Sequence, residues 1–198
     1  MDAARLLFGN HGYAGTSIAQ IAARAGVSGR TVFVLFETKA GLLKEIIDAA
    51  IVGDTERIPL AQRPEALAIH HAATADEAIV RLADLFAEVS PRVYDAYMIL
   101  HGAALVDQDA AELERDLQAQ RLTGAGQLAR TLAARYGITD SDRIEDLRDT
   151  LWTIGSPLVF GMLVHDRKRT VPQYRDWIIR MLTGFISTPA APHRHPRK

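Results

Sequence analysis

The side chains best suited to contact a polyanion lie together in the segment SGRT, residues 28–31. Arg30 and Thr31 can donate hydrogen bonds to the edges of bases, and Gly29 permits close backbone approach. Ser28 can cap the helix that follows, whose first N–H groups suit a phosphate. Lys39 places a further positive charge at the start of another helix. This chemistry predicts a surface for duplex DNA.

One stiff helix with an outward face must present these groups. We predict helices over residues 16–25 and 28–36, separated by Gly26, which tolerates the positive φ of a tight turn. Ala22 is small enough for the two helices to cross closely, and Val27 can plug the corner. The residues expected to fill the shared core are Ile18, Ile21, Val32 and Leu35.

Flanking signals complete this unit. Ser17 and Gln20 fit a capping box, and Thr38 can cap a fourth helix from Lys39 to about Val52. The whole set predicted to contact DNA is Thr16, Ser17, Ser28, Gly29, Arg30, Thr31, Phe33 and Lys39. Helix–glycine–helix alone also fits a small helical core without a ligand, so agreement at many positions is what favours DNA binding.

Residues 6–43, LLFGNHGYAGTSIAQIAARAGVSGRTVFVLFETKAGLL, resemble the DNA-binding domain of the tetracycline-repressor (TetR) family of bacterial regulators. The shared residues are Leu7, Phe8, Gly12, Tyr13, Thr16, Ile21, Ala22, Ala25, Gly26, Val27, Ser28, Phe33, Phe36, Lys39, Leu42 and Leu43. The resemblance implies an all-α homodimer. Its N-terminal domains would read an operator, and its variable C-terminal domains would bind a small effector and dimerise.

This chain departs from the family pattern in ways that weaken phosphate contacts. Phe33 stands where a tyrosine hydroxyl usually reaches a phosphate, and Val34 replaces a common histidine or polar residue. Family members usually carry a basic arm before the first helix, whereas here Met1 adjoins that helix. Residues 1–53 carry a formal net charge of +1. We therefore expect weak, salt-sensitive binding, or a start further upstream.

Helical spacing of apolar residues continues along the chain, and no segment reads as a strand, so the predicted fold class is all-α. We predict a helix-turn-helix domain over 1–53, a connecting segment over 54–75, an effector-binding and dimerisation domain over 76–188, and a disordered tail over 189–198. Pro91 is expected to break or kink the helix that begins near Asp76, and Pro157 to kink a later one.

His101 and Arg121 interrupt apolar stripes of the second half. In the family that the chain resembles, the effector cavity lies among such central helices. The predicted pocket residues are Tyr94, Tyr97, Met98, His101, Arg121 and Trp152. The alternatives are a hydrogen-bonded core histidine, and an arginine paired with a nearby Asp or Glu.

The regular apolar stripe of the last helix predicts an interface, with a preceding helix as its neighbour in a four-helix bundle formed by two protomers. The predicted interface residues are Leu151, Leu158, Met162, Tyr174, Trp177, Ile178, Met181 and Phe185. Packing of the same stripe within one protomer is the alternative.

Composition excludes several classes. The chain has no cysteine, so it has no disulfide or thiolate chemistry. No apolar run approaches a membrane span and the first residues lack a signal sequence, so we expect a cytoplasmic protein. GAGQLA, residues 124–129, matches a dinucleotide fingerprint but follows no strand. The histidine pairs at 70–71 and 193/195 lack carboxylate partners. We therefore expect that the protein binds no metal or cofactor and is not an enzyme.

The sequence therefore favours a transcriptional regulator, a repressor released or modulated by a small-molecule effector. A helical ligand-binding or structural dimer with weakened DNA binding is the alternative, motivated by Phe33 and Val34. A small all-α enzyme has no motif to support it.

Overall fold

A computed structural model describes residues 1–53 and 58–187, with the side chains of residues 185–187 left out. The described residues form helices and turns with no strand, which confirms the all-α prediction. The predicted tail, residues 189–198, and the interface side chain of Phe185 lie outside the described part. The α-helices are α1 (Asp2–His11), α2 (Ile18–Ala25), α3 (Gly29–Phe36), α4 (Lys39–Val52), α5 (Pro64–His71), α6 (Ala75–Ala103), α7 (Gln108–Tyr136), α8 (Ser141–Ile154), α9 (Pro157–Phe160) and α10 (Val171–Ser187). A 3₁₀ helix at Leu60–Gln62 precedes α5, and a π-helix at Gly161–Asp166 follows α9.

Local side-chain chemistry sets the ends of the first helices. Ser17 Oγ accepts from the backbone N–H of Gln20 at 3.2 Å, and Gln20 Oε1 accepts from the backbone N–H of Ser17 at 2.7 Å, which is the predicted capping box. Ser28 caps α3 and Thr38 caps α4 with a single bond each, from the backbone N–H of Thr31 and of Gly41. Gly26 ends α2 with φ of 68°. These contacts lie within three residues of one another, so the sequence alone could indicate them.

The packing of α1–α4 differs from the predicted one at two positions, and one of them is Val27, which is 43% exposed and does not fill the corner between α2 and α3. Ile21 and Val32 are buried and Ile18 is partly buried, but Leu35 is 65% exposed. Val32 and Phe36 are four residues apart and share the inner face of this two-turn helix, which leaves Leu35 at its side. The prediction that Leu35 fills the core is therefore wrong.

Helix α6 contributes residues to both hydrophobic clusters and so connects the two parts of the core. One cluster joins α1–α4 to the second half of α6 and the start of α7. The other joins the first half of α6 to α5, α8, α10 and the end of α7. The unit that carries α3 is therefore packed directly on the helix that also forms the core of the rest of the chain.

The two proline predictions have different outcomes. Helix α6 continues through Pro91, which lies on its exposed side, so the helix is not broken there and a kink at Pro91 stays a prediction. The later helix, α8, ends at Ile154, and a Cβ added to the following Gly155 would lie 2.9 Å from the ring of Phe86. Ser156 then caps α9, with Pro157 in its first turn. The chain therefore leaves the helix before Pro157 instead of kinking at it.

The regular stripe of α10 mainly forms intramolecular core. Tyr174, Ile178 and Leu151 are buried inside the protomer, and the Tyr174 hydroxyl donates to the Ile154 carbonyl at 3.1 Å. Met162 and Met181 are 60% and 44% exposed. Leu158 and Trp177 are partly buried. Among the described residues of the predicted interface set, those with surface left for a partner are Leu158, Met162, Trp177 and Met181.

None of the described helices is both long enough and apolar enough to cross a membrane.

Candidate DNA-binding surface and ligand cavity

Helix α3 presents almost its whole length to solvent. Arg30 and Thr31 are exposed, as predicted, and only Val32 of this helix is buried. Phe33 and Val34 are 63% and 68% exposed. Such exposure of apolar side chains on a helix of two turns is costly unless another molecule covers them.

The turn before α3 is held by backbone bonds alone. Gly26 adopts the left-handed conformation, and the backbone N–H of Val27 donates to the Ala22 carbonyl at 3.1 Å. This six-to-one bond is the Schellman arrangement that ends a helix in a fixed direction. Ser28 Oγ then accepts from the backbone N–H of Thr31 at 3.0 Å. Helix α3 is therefore fixed in direction at its start and exposed along its side.

Thr16 and Lys39, both predicted to contact DNA, are engaged inside the protein. Thr16 is 2% exposed, and its hydroxyl lies 2.8 Å from the Gly12 carbonyl and 3.2 Å from that of Leu7. Lys39 Nζ donates to the carbonyls of Tyr13 at 2.8 Å and Thr16 at 3.1 Å, and lies 4.0 Å from the centre of the Tyr13 ring. Both side chains brace the turn between α1 and α2.

Replacing Lys39 with methionine is expected to lower the free energy of unfolding by about 2 kcal/mol, because hydrogen bonds from a charged group to partly buried carbonyls are lost. Urea denaturation followed by circular dichroism measures this. Lys44→Met is the matched control on α4, since Lys44 forms an exposed pair with Asp48 that contributes roughly 0.3–0.5 kcal/mol. Equal stability of the two variants, with weaker DNA binding by Lys39→Met alone, would instead make Lys39 a phosphate contact.

A cavity of about 520 Å³ lies between α5, α6, α7 and α8. Of the predicted pocket residues, Arg121 and Trp152 line it, whereas Tyr94, Tyr97, Met98 and His101 do not. The lining residues are Leu60, Ala61, Ala66, Ile69, His70, Leu82, Leu85, Phe86, Arg121, Gly124, Ala125, Gln127, Leu128, Thr131, Leu151, Trp152 and Gly155. The wall is mainly apolar with a few polar groups, which is typical of small-molecule sites.

The apolar wall was not identified from the sequence. Leu82 and Phe86 belong to an apolar stripe of α6 that reads equally well as packed core. Tyr94, which was predicted, lies instead against His165, with ring centres 4.1 Å apart. Helical periodicity shows which face is apolar, but not whether neighbouring helices fill the space in front of it.

Arg121 is the charged group of this wall and has no carboxylate partner among the described residues. Its Nη1 donates to Gln118 Oε1 and its Nη2 to the Trp152 carbonyl, both at 2.6 Å. Burial lowers the pKa of the guanidinium, which nevertheless remains charged. The expected alternative, a pair with Asp or Glu, is therefore not what the structure shows.

Trp152 carries a second unusual group. Its indole N–H is buried without an acceptor, and it is the one such side-chain atom in the described ranges. Leaving a buried donor unpaired costs about 1–3 kcal/mol. The ring of Trp152 also lies 5.8 Å from the Arg121 guanidinium carbon. The hydrogen-bonded guanidinium of Arg121 and the residue that carries the unpaired indole N–H thus lie side by side in the cavity wall.

A chain of polar side chains leads from Arg121 towards the α1–α4 core. Gln118 Nε2 donates to the Tyr97 hydroxyl, which donates to Glu114 Oε1 at 3.3 Å. The same carboxylate oxygen lies 2.7 Å from Nδ1 of His101. Burial is the main cause that raises the pKa of Tyr97. Tyr97 belongs to the hydrophobic cluster that contains α1 and α4. These polar side chains therefore connect the cavity to the core of the α1–α4 unit.

The fixed turn and the exposed second helix form a helix-turn-helix. Residues 1–46 match the model of the family described as bacterial regulatory proteins, tetR family. This part of the chain is therefore similar to the DNA-binding domain of that family. This confirms the resemblance that the sequence suggested.

Solved structures share the whole fold. A Pseudomonas aeruginosa PAO1 protein described as a transcriptional regulator superposes with a TM-score of 0.66 at 20% identity, over 94% of this chain and 88% of that one. A TetR-family protein from Rhodococcus sp. gives 0.66 at 17%, over 93% and 95%. One from Mesorhizobium loti MAFF303099 gives 0.63 at 17%, over 94% and 92%. A sequence search of curated proteins gave no match.

Proposed function

We propose that this regulator is a repressor that occupies operator DNA as a homodimer, and that a small molecule in the cavity lowers its affinity for the operator. Residues 1–53 would bind DNA, 54–75 would connect, and 76–188 would bind effector and dimerise. The observation that carries the proposal is the polar chain from Arg121 through Gln118 to Tyr97, because it links a ligand-sized cavity to the core beneath the exposed α3. The site of action would be the cytoplasm, where a bacterial operator lies.

Contacts to DNA would come from the start and side of α3. Arg30 can pair with the acceptors of guanine and Thr31 with either kind of group, while the exposed Phe33 and Val34 suit thymine methyl groups. The free backbone N–H groups at the first turn of α3 would bind a phosphate beside them. The apolar pair supports a recognition face that reads shape and methyl groups more than phosphates.

Dimerisation would use the surface left open by α9, by the π-helix Gly161–Asp166 that follows it, and by α10. Met162 and Met181 are large apolar side chains at 60% and 44% exposure, and Trp177 and Leu158 offer further partly covered surface. A two-fold interface brings each of these residues in twice. The same symmetry would place two copies of α3 for two half-sites of one duplex.

The double substitution Met162→Glu and Met181→Glu is expected to raise the dimer dissociation constant by at least about 100-fold, since each buried methionine replaced by a charge costs more than roughly 1 kcal/mol and appears in both protomers. Sedimentation velocity over a concentration series measures this. Leu105→Glu is the control, because Leu105 is 80% exposed in the turn between α6 and α7. Unchanged sedimentation of the double variant would place the interface elsewhere.

Control by a ligand requires two conformations that bind it unequally. A ligand that engages Arg121 would compete with its bonds to Gln118 and to the Trp152 carbonyl. The contacts of Tyr97 with Glu114 would then change, and with them the packing of α6 against α1 and α4. Arg92 of α6 adds a direct link, because it donates to the Ile51 carbonyl at the end of α4 at 3.1 Å.

A ligand-binding dimer with weakened DNA binding is the second candidate. The low net charge of residues 1–53, together with phenylalanine in place of a phosphate-binding tyrosine at position 33, favours it. The two candidates share the cavity and differ only in what α3 does.

The test is selection of genomic duplex fragments of the source bacterium on the immobilised protein at low salt. The repressor proposal predicts enrichment of fragments that share an inverted repeat and lie near promoters. Ligand binding by the folded protein without enrichment of any sequence would favour the second candidate.

A further inference from the structure

We propose that the cavity takes a small organic acid, in which an apolar body carries one carboxylate that pairs with Arg121. The inference rests on the proposed role of this cavity as the effector site and names the chemical class of its ligand. It follows from the shape of the cavity, from its charge and from its unpaired donors.

The cavity selects an apolar body. Its volume of about 520 Å³ lies within the range of sites for small ligands, about 300–1,000 Å³. Leucine side chains of α6 and α7, the ring of Phe86 and the ring of Trp152 form most of its wall. A fully polar metabolite would lose its hydration against this wall without replacement, so the ligand must be mainly hydrocarbon.

The charge of the wall selects an anion. No Asp or Glu lines the cavity, so nothing there compensates for Arg121 or attracts a cation. The guanidinium has five N–H donors, and two protein acceptors engage it, the amide oxygen of Gln118 and the carbonyl of Trp152. A carboxylate matches the fork of donors that remain and supplies the missing negative charge.

The unpaired donor of Trp152 supports the same class. Its indole N–H is the one buried side-chain group without a partner in the described part of the chain, and Trp152 also holds Arg121 through its carbonyl. The residue that holds Arg121 therefore also carries this unpaired buried donor. Besides Arg121, the wall offers His70, Gln127 and Thr131 as polar residues but no lysine. One guanidinium suits a single carboxylate better than a doubly charged phosphate.

The experiment compares four ligands with one hydrocarbon body: octanoate, octan-1-ol, octylamine and octyl phosphate, each below its micelle-forming concentration. Trp177→Phe leaves Trp152 as the single tryptophan of the chain, so its fluorescence reports binding at the wall. Thermal shift of the wild-type protein gives an independent reading. We expect octanoate to bind at least about tenfold more tightly than the alcohol, octylamine not to bind, and octyl phosphate to bind no better than octanoate.

Arg121→Gln should reduce octanoate affinity about tenfold or more, to the level of the alcohol, and leave the alcohol unchanged. Arg130→Gln, on an exposed face of the same helix and outside the cavity wall, should behave as wild type. If Arg121→Gln does not fold, the ranking of ligands on the wild-type protein decides alone.

The outcomes separate the two proposals. Binding of the alcohol or amine as tightly as octanoate, a preference for octyl phosphate, or an equal loss of all ligands in Arg121→Gln would overturn the carboxylate assignment and keep a ligand cavity. Absence of every ligand from the site, with no change in Trp152 fluorescence, would overturn both the assignment and the effector role of the cavity. Selection of operator DNA is unaffected by either result.

Discussion

Replacing Phe8 with alanine is expected to lower the free energy of unfolding by about 3–5 kcal/mol and to remove DNA binding with it. Phe8 is 1% exposed, and its ring stacks on that of Tyr13 with centres 5.5 Å apart. It lies in the cluster that holds α1 and α4 against α6. The lost contacts leave a cavity at the base of the helix-turn-helix unit, and α3 loses the support that fixes its direction.

Chemical denaturation, monitored by circular dichroism, gives the stability change. Leu6→Ala is the matched control, because Leu6 lies two residues earlier on the same helix and is 43% exposed. That variant should remain within about 0.5 kcal/mol of wild type. A Phe8→Ala protein as stable as the Leu6→Ala protein would mean that the packing of α1 described above is wrong.

Replacing Arg30 with alanine is expected to weaken operator binding by at least about 30-fold without changing stability. A base-edge arginine contributes about 1–3 kcal/mol, and a dimer loses that contribution at both half-sites. Arg30 is exposed on α3 and forms no ion pair with the described residues. Its replacement should therefore leave the free energy of unfolding unchanged. Fluorescence anisotropy with the selected operator at fixed salt measures the affinity.

Arg115→Ala makes the same chemical change on α7, where that side chain is 68% exposed, and should leave operator affinity unaltered. Relaxed preference at one base pair of each half-site should accompany the loss in Arg30→Ala. If Arg30→Ala and Arg115→Ala bound the operator with equal affinity, the exposed side of α3 would not be the DNA-binding surface.

Prediction from sequence succeeded where the determining contacts were local. The cap hydrogen bonds of Ser17 with Gln20 and of Ser28 with Thr31 join residues three apart in the sequence. The turn at Gly26 depends on the positive φ of that one residue. These signals set the start of α3 and its exposure. Chain neighbours could not reveal the partners of Lys39, because its ammonium binds carbonyls 26 and 23 residues earlier in the sequence.

The cavity shows more plainly what helical periodicity cannot predict. Arg121, which interrupts an apolar stripe, lines the cavity, whereas His101, which interrupts another, lies in a polar network with Tyr97 and Glu114. The stripe of α10 gave the opposite error, since Tyr174 and Ile178 fill the core of the protomer. A helical pattern shows that a face is covered without showing by what.

The most direct measurement is a hydroxyl-radical footprint of the wild-type protein on a selected operator fragment at low salt. Two protected patches, centred about one helical turn of duplex apart and both lost with Arg30→Ala, are the result that a dimer reading DNA through α3 predicts. A single patch, or protection that survives Arg30→Ala and Thr31→Val together, would contradict the account.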